Sequence, residues 1–87
     1  MTHSEIADLL RTFLQQEFPN QGVALTDSTD LLKDWFVDSL GIIETVLFLE
    51  KAFGIDIARA DINGSNFRNV AALSEFVALR LKQTPSG

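Results

Sequence analysis

The chain has 87 residues, 46% hydrophobic and 22% charged, enough for one small folded domain and far from the low-hydrophobicity, high-charge regime of disordered proteins. It has no cysteine, which excludes disulfides and thiolate metal sites, so any thiol chemistry must be brought in from outside. The net charge of −5 lies entirely between Asp27 and Asp61, where eight acids face three bases, while the remaining acids and bases cancel; such a field repels nucleic acid and anionic lipid and steers basic protein surfaces, or simply keeps the protein soluble.

In chain order, Thr2 and Glu5 have the spacing of a capping box. Ile6, Leu9, Leu10, Phe13 and Leu14 then recur on one helical face until Pro19, which predicts a first helix. Residues 19–38 form a long connection with turn signals at Pro19, Asn20, Gly22 and the Thr26–Asp30 cluster. It also carries Val23, Leu25, Leu31, Leu32, Trp35, Phe36 and Val37, so it must pack on the body, with Trp35 and Phe36 as core plugs. A second helix runs from Ser39 to Phe53 and stops at Gly54. A short irregular piece follows with Ile55, Ile57, Ile62 and Phe67, and a last helix spans Val70 to Lys82, apolar at Val70, Leu73, Phe76, Val77, Leu79 and Leu81. The expected fold is all-α, a small four-helix bundle of three main helices and a short third one. Residues 1–83 form a single domain and 84–87 a flexible tail. No apolar run approaches the ~18 residues needed to cross a bilayer, and Met1–Leu10 mixes charged with apolar residues where a signal peptide would be uniformly apolar, so the expected address is the cytoplasm, without membrane insertion.

Projected at 100 degrees per residue, the second helix carries two apolar stripes. Ile42, Val46, Leu49 and Phe53 share one arc; Leu40, Ile43 and Leu47 share another, flanked by Glu44 and Glu50. One stripe suffices for the core of so small a bundle, and the second has the form of a partner surface, apolar at its centre and charged at its rim. The alternative is a helix enclosed on both stripes. At the mouth of this helix stands Asp38-Ser39-Leu40. Either Asp38 or Ser39 is a favoured N-cap, which is one complete reading of the pair. The other reading takes Ser39 as an exposed hydroxyl at the positive end of a helix dipole, with no adjacent base to make it a nucleophile of its own, and therefore as an attachment point.

The Val37-Asp38-Ser39-Leu40 box, the stretch Leu49-Glu50-Lys51-Ala52-Phe53-Gly54-Ile55-Asp56-Ile57, and the helix order over residues 4–82 together resemble the acyl carrier protein family, including its peptidyl and aminoacyl relatives. The resemblance implies that a separate phosphopantetheinyl transferase joins 4'-phosphopantetheine to Ser39, whose thiol then holds acyl or aminoacyl groups as thioesters. Asp38 would support Ser39 by capping the helix and by presenting a carboxylate to the modifying enzyme. Leu40, Ile43, Glu44, Leu47, Glu50 and Ile57 match the family's docking positions. The partners implied are that transferase, an acyl- or aminoacyl-loading ligase and a downstream synthase or transferase, all meeting a monomeric chain. Five features depart from the family's pattern: Gly41 stands where many fatty-acid carriers have an acid, Lys51 and Ala52 thin the acidic end of the helix, Arg59 adds a base to the short third segment, Phe67-Arg68-Asn69-Val70 brings an aromatic to the approach to the last helix as in peptidyl or aminoacyl carriers, and Trp35 and Phe36 precede the box where leucine and glycine are usual. They suggest a specialised partner set.

No enzyme is expected. The single histidine, His3, falls in the first turn of the first helix, and no serine–histidine–acid set can be assembled without it. The acids from Asp27 to Asp34 lack the ligand ladder of a calcium loop, no glycine-rich phosphate loop is present, and the expected metal set is none. The competing reading is a cofactor-free helical interaction module that uses the same acidic and apolar surface.

Overall fold

The computed structural model describes residues 2–19, 24–36 and 38–83. Expectations for Asn20, Gly22, Val23, Val37 and the tail 84–87 lie outside the described residues. Four α-helices follow one another: α1 (His3–Glu17), α2 (Ser39–Phe53), α3 (Gly64–Phe67) and α4 (Val70–Gln83). A π-helical turn (Leu31–Trp35) precedes α2 and a 3-10 turn (Arg59–Asp61) precedes α3. Among the described residues there is no strand, and the fold is the expected all-α bundle.

The start of α1 is set by Thr2, whose hydroxyl accepts from the Glu5 N–H at 3.2 Å while the Glu5 carboxylate accepts from the Thr2 N–H at 3.0 Å. The capping box read from the sequence is therefore present. Ile6, Ala7, Leu10 and Leu14 form the buried edge of the helix, which packs chiefly on α4, where Val70, Leu73, Val77 and Ala78 are buried in the same core. Leu9 and Leu79, expected on the apolar faces, are 43% and 52% exposed. Each helix carries an apolar arc wider than the single face its neighbour covers, so the residue at the edge of the arc is left in solvent.

The connection before α2 does pack on the body, although the π-helical turn within it was not foreseen. Asp30 caps the turn by accepting from the Lys33 N–H, and Leu31 donates to the Arg68 carbonyl at 2.8 Å. Leu31, Trp35 and Phe36 are buried, while Leu32 stays at the surface. The Trp35 indole N–H donates at 3.3 Å to the carbonyl of Leu14, which also accepts from Phe18, so one ring both plugs the core and satisfies the end of α1. Further back, the Asp27 carbonyl accepts from the Ala71 N–H, and Arg11 pairs with both Asp8 and Asp27. The long loop is thereby anchored to both terminal helices.

On the other side of α2, Gly54 adopts the left-handed conformation (φ 65°) that ends the helix and sends the chain back into the core at Ile55. The short α3 is capped by Asn63 and buries Phe67, and α4 is tied to the 3-10 turn by the Arg80–Asp61 pair at 2.6 Å.

Leu10→Ala should cost about 2–5 kcal/mol in urea unfolding, whereas Leu9→Ala should stay within about 0.5 kcal/mol of wild type. The Thr2 backbone N–H, and after it the Thr2 hydroxyl, hold the Glu5 carboxyl below the ordinary glutamate value. The stabilisation from the ionised box is therefore complete above the unfolded glutamate pKa and is lost as pH falls through the lowered folded value. An NMR titration should give Glu5 a midpoint below that of an unpaired glutamate, and Thr2→Ala, which removes the hydroxyl but keeps the backbone N–H, should move it only part of the way back up.

Candidate functional site

α2 divides as its two stripes predict. Val46, Leu49 and Phe53 are buried and Ile42 is half-buried against them. Leu40, Ile43 and Leu47 are 56%, 52% and 60% exposed, so the neighbouring helices leave the second stripe open. Thr45 is fully buried, and its hydroxyl is satisfied by donating to the Gly41 carbonyl at 2.8 Å.

At the N-terminus of α2, Asp38 is the cap: its backbone is extended and its carboxylate accepts from the Leu40 N–H at 3.0 Å. That leaves Ser39 as the first helical residue, with an exposed side chain and a hydroxyl that makes no hydrogen bond among the described residues. The first turn contains no acid of its own, so the positive end of the dipole is answered only by the capping Asp38. A covalently attached phosphate at Ser39 would sit where a helix favours negative charge, on an anchor held by a 15-residue helix with a buried face. These are the properties a phosphopantetheine anchor needs, and the residues fit it.

The expected docking residues fall into two groups. Leu40, Ile43 and Leu47 line up on α2 beyond Ser39, with Glu44 half-buried beside them. Glu50 turns away toward the following segment, where its Oε2 accepts from the Ile57 N–H at 3.0 Å, and Ile57 is itself half-buried against the core. Glu50 therefore positions the segment that leaves α2 as well as edging the stripe. Beside Leu47, an open groove of about 310 Å³ is lined by Phe13, Phe48, Glu17, Glu44 and Lys51, so a basic side chain interrupts the acidic rim. Phe13 and Phe48 stack there with ring centroids 4.1 Å apart.

Two residues at the site were not singled out by their roles in the sequence reading. Phe36 was read as a core plug and a departure from the family's pattern, and Gly41 only as a departure, yet the Phe36 ring lies against the bare Gly41 backbone. A glycine in the first turn of an otherwise apolar helix was the available signal, because glycine is unfavourable there unless something needs the space. His3 lies in the first turn of α1, and among the described residues no three histidine, cysteine, aspartate or glutamate side chains gather as a metal set.

The N-terminus of α2 thus stands at the surface with an exposed serine beside an open apolar stripe. The family model described as "phosphopantetheine attachment site" matches residues 4–77, and the chain belongs to that family of carrier proteins. Its members bear covalent 4'-phosphopantetheine and do not themselves catalyse reactions. No curated protein matches the chain.

Removing the Glu50 carboxylate with Glu50→Ala should cost about 1 kcal/mol and speed amide exchange at Ile57, while Glu50→Gln, which keeps an acceptor, should lose less on both measurements.

Proposed function

We propose that this protein carries acyl or aminoacyl groups on a phosphopantetheine arm attached to Ser39 and presents them to partner enzymes across Leu40, Ile43 and Leu47, with Glu44 and Glu50 at the edge. The observation that carries the reading is the exposed Ser39 hydroxyl at the first position of α2, which makes no hydrogen bond among the described residues. When attached, the arm supplies the thiol that a chain without cysteine lacks, and acyl groups ride on it as thioesters.

In the modification step the Ser39 Oγ forms the new bond to phosphorus, the phosphoanhydride of coenzyme A breaks, adenosine bisphosphate leaves, and the hydroxyl proton passes to the transferase. Asp38 holds the helix end in place through Leu40 and keeps Ser39 in the first turn. The exposed stripe offers an apolar centre about 12 Å long between Ser39 and Leu47, at 1.5 Å per residue. The acids around it favour partners with basic surfaces. The transferase, a loading ligase and a downstream synthase or transferase would meet the chain on this face in turn, with the carrier acting as a monomeric, cytoplasmic single domain. Among the described residues no helix is long and apolar enough to cross a membrane.

After incubation with coenzyme A and a broad-specificity phosphopantetheinyl transferase, intact-mass analysis should show one added arm on the wild type and none on Ser39→Ala. An arm on the alanine variant would place the site elsewhere. Leu47→Asp should keep its circular dichroism, because the side chain it replaces is in solvent, and should lose loading by the cognate ligase.

A further inference from the structure

Gly41 lies two residues beyond Ser39 in the first turn of α2, and it is buried. A Cβ at this position would stand 2.9 Å from Cδ1 of Phe36, with the ring Cγ at 3.4 Å and the Phe36 Cβ at 3.5 Å. Carbon atoms pack best at about 3.5–4.0 Å, so the ring and any side chain at position 41 compete for one space. The ring has little room to withdraw. The edge of Phe18 meets it at 5.7 Å and 85°, and Phe18 is braced in turn by Phe13 at 6.0 Å. The Phe36 backbone N–H is fixed to the Leu31 carbonyl at 2.7 Å. Gly41 is held from its own side: its N–H reaches the Asp38 carbonyl at 3.2 Å, and its carbonyl receives the buried Thr45 hydroxyl. Asp38 and Ser39 sit between these two fixed points.

We infer that Phe36 and Gly41 are a positioning pair for the modification of Ser39. The ring resting on the bare backbone sets where the first turn of α2 stands, and with it the place at which the Ser39 hydroxyl is offered to the transferase. The same contact governs which partners read this carrier. A side chain at position 41, an acid included, would have to displace the Phe36 ring, and recognition of this chain proceeds without a carboxylate there. The inference rests on Ser39 being the attachment residue.

The test uses the full chain, coenzyme A and a broad-specificity phosphopantetheinyl transferase. Initial rates of arm transfer are measured against carrier concentration, alongside thermal melting, for the wild type, Gly41→Ala, Phe36→Leu and the double variant. Misplacement of a reacting group by a fraction of an ångström to an ångström lowers rates steeply, so Gly41→Ala should lose at least about tenfold in kcat/KM. Phe36→Leu should lose less, and the double variant should regain most of the wild-type rate. Melting should reverse in sign: Gly41→Ala lowers Tm beneath Phe36 and raises it beneath leucine, because alanine favours the helix once the ring is gone. Gly41→Ala molecules that are folded yet modified at the wild-type kcat/KM would overturn the pair's role, and so would a folded double variant as slow as Gly41→Ala. A wild-type chain that gains no arm would overturn the carrier reading beneath it, and the pair's role with it, which is a different failure from equal rates among variants that all accept the arm.

Discussion

Val46, Leu49 and Phe53 fix α2 in the bundle along one face only, and the rest of the molecule depends on that one-sidedness. Burial of this face removes enough apolar surface from water to hold a 15-residue helix rigidly, at roughly 1.5–3 kcal/mol for each large side chain. The opposite face and the N-terminus remain in solvent with no helix above them. Burial on both sides would have given a more stable helix and no accessible serine. Thr45 extends the buried face on the side away from the exposed stripe, and its polar side chain is satisfied by the backbone one turn earlier.

The elements around α2 serve mainly to hold that arrangement. Trp35 links the π-helical turn to the end of α1 through the Leu14 carbonyl, Asp27 receives the first turn of α4, and Leu31 donates to Arg68. These bonds let a segment rich in turn residues behave as part of the core and deliver the chain to Asp38. A run of phenylalanines then connects the start of α2 to the α1–α2 groove, from Phe36 through Phe18 and Phe13 to Phe48 and Phe53. Aromatic pairs of this kind add packing energy and fixed geometry beyond the area they bury.

The departures from the family's pattern are related to one another. Gly41 and Phe36 looked in the sequence like two unconnected oddities, an acid missing after the serine and an aromatic in place of a smaller residue before it. In the structure they share one space, so the Phe36 ring occupies the room that a side chain at position 41 would need. The thinned acidic rim has a local reason as well. Glu50 is partly committed to the Ile57 N–H, and Lys51 lines the groove beside Leu47 opposite Glu44 and Glu17. The exposed face of α2 is therefore more apolar and less uniformly acidic than net charge alone suggests.

The residues themselves determined the helices, because helix signals are local: the Thr2–Glu5 box, the glycine at position 54 and the 3.6-residue spacing of Ile42, Val46, Leu49 and Phe53 each act within a turn or two of the backbone. Local spacing also separated the stripe of Leu40, Ile43 and Leu47 from the core stripe, and placed Ser39 at a helix mouth. Whether that second stripe was covered depended on where the other helices lay, and Leu9 and Leu79 show that an apolar position on a helix does not fix its own burial. The π-helical turn, the choice of Asp38 over Ser39 as the cap, the inward turn of Glu50 and the contact of Phe36 with Gly41 were decided only by the tertiary structure. Each depends on groups brought together by packing, and the spacing of residues along a chain carries no record of which surfaces will meet.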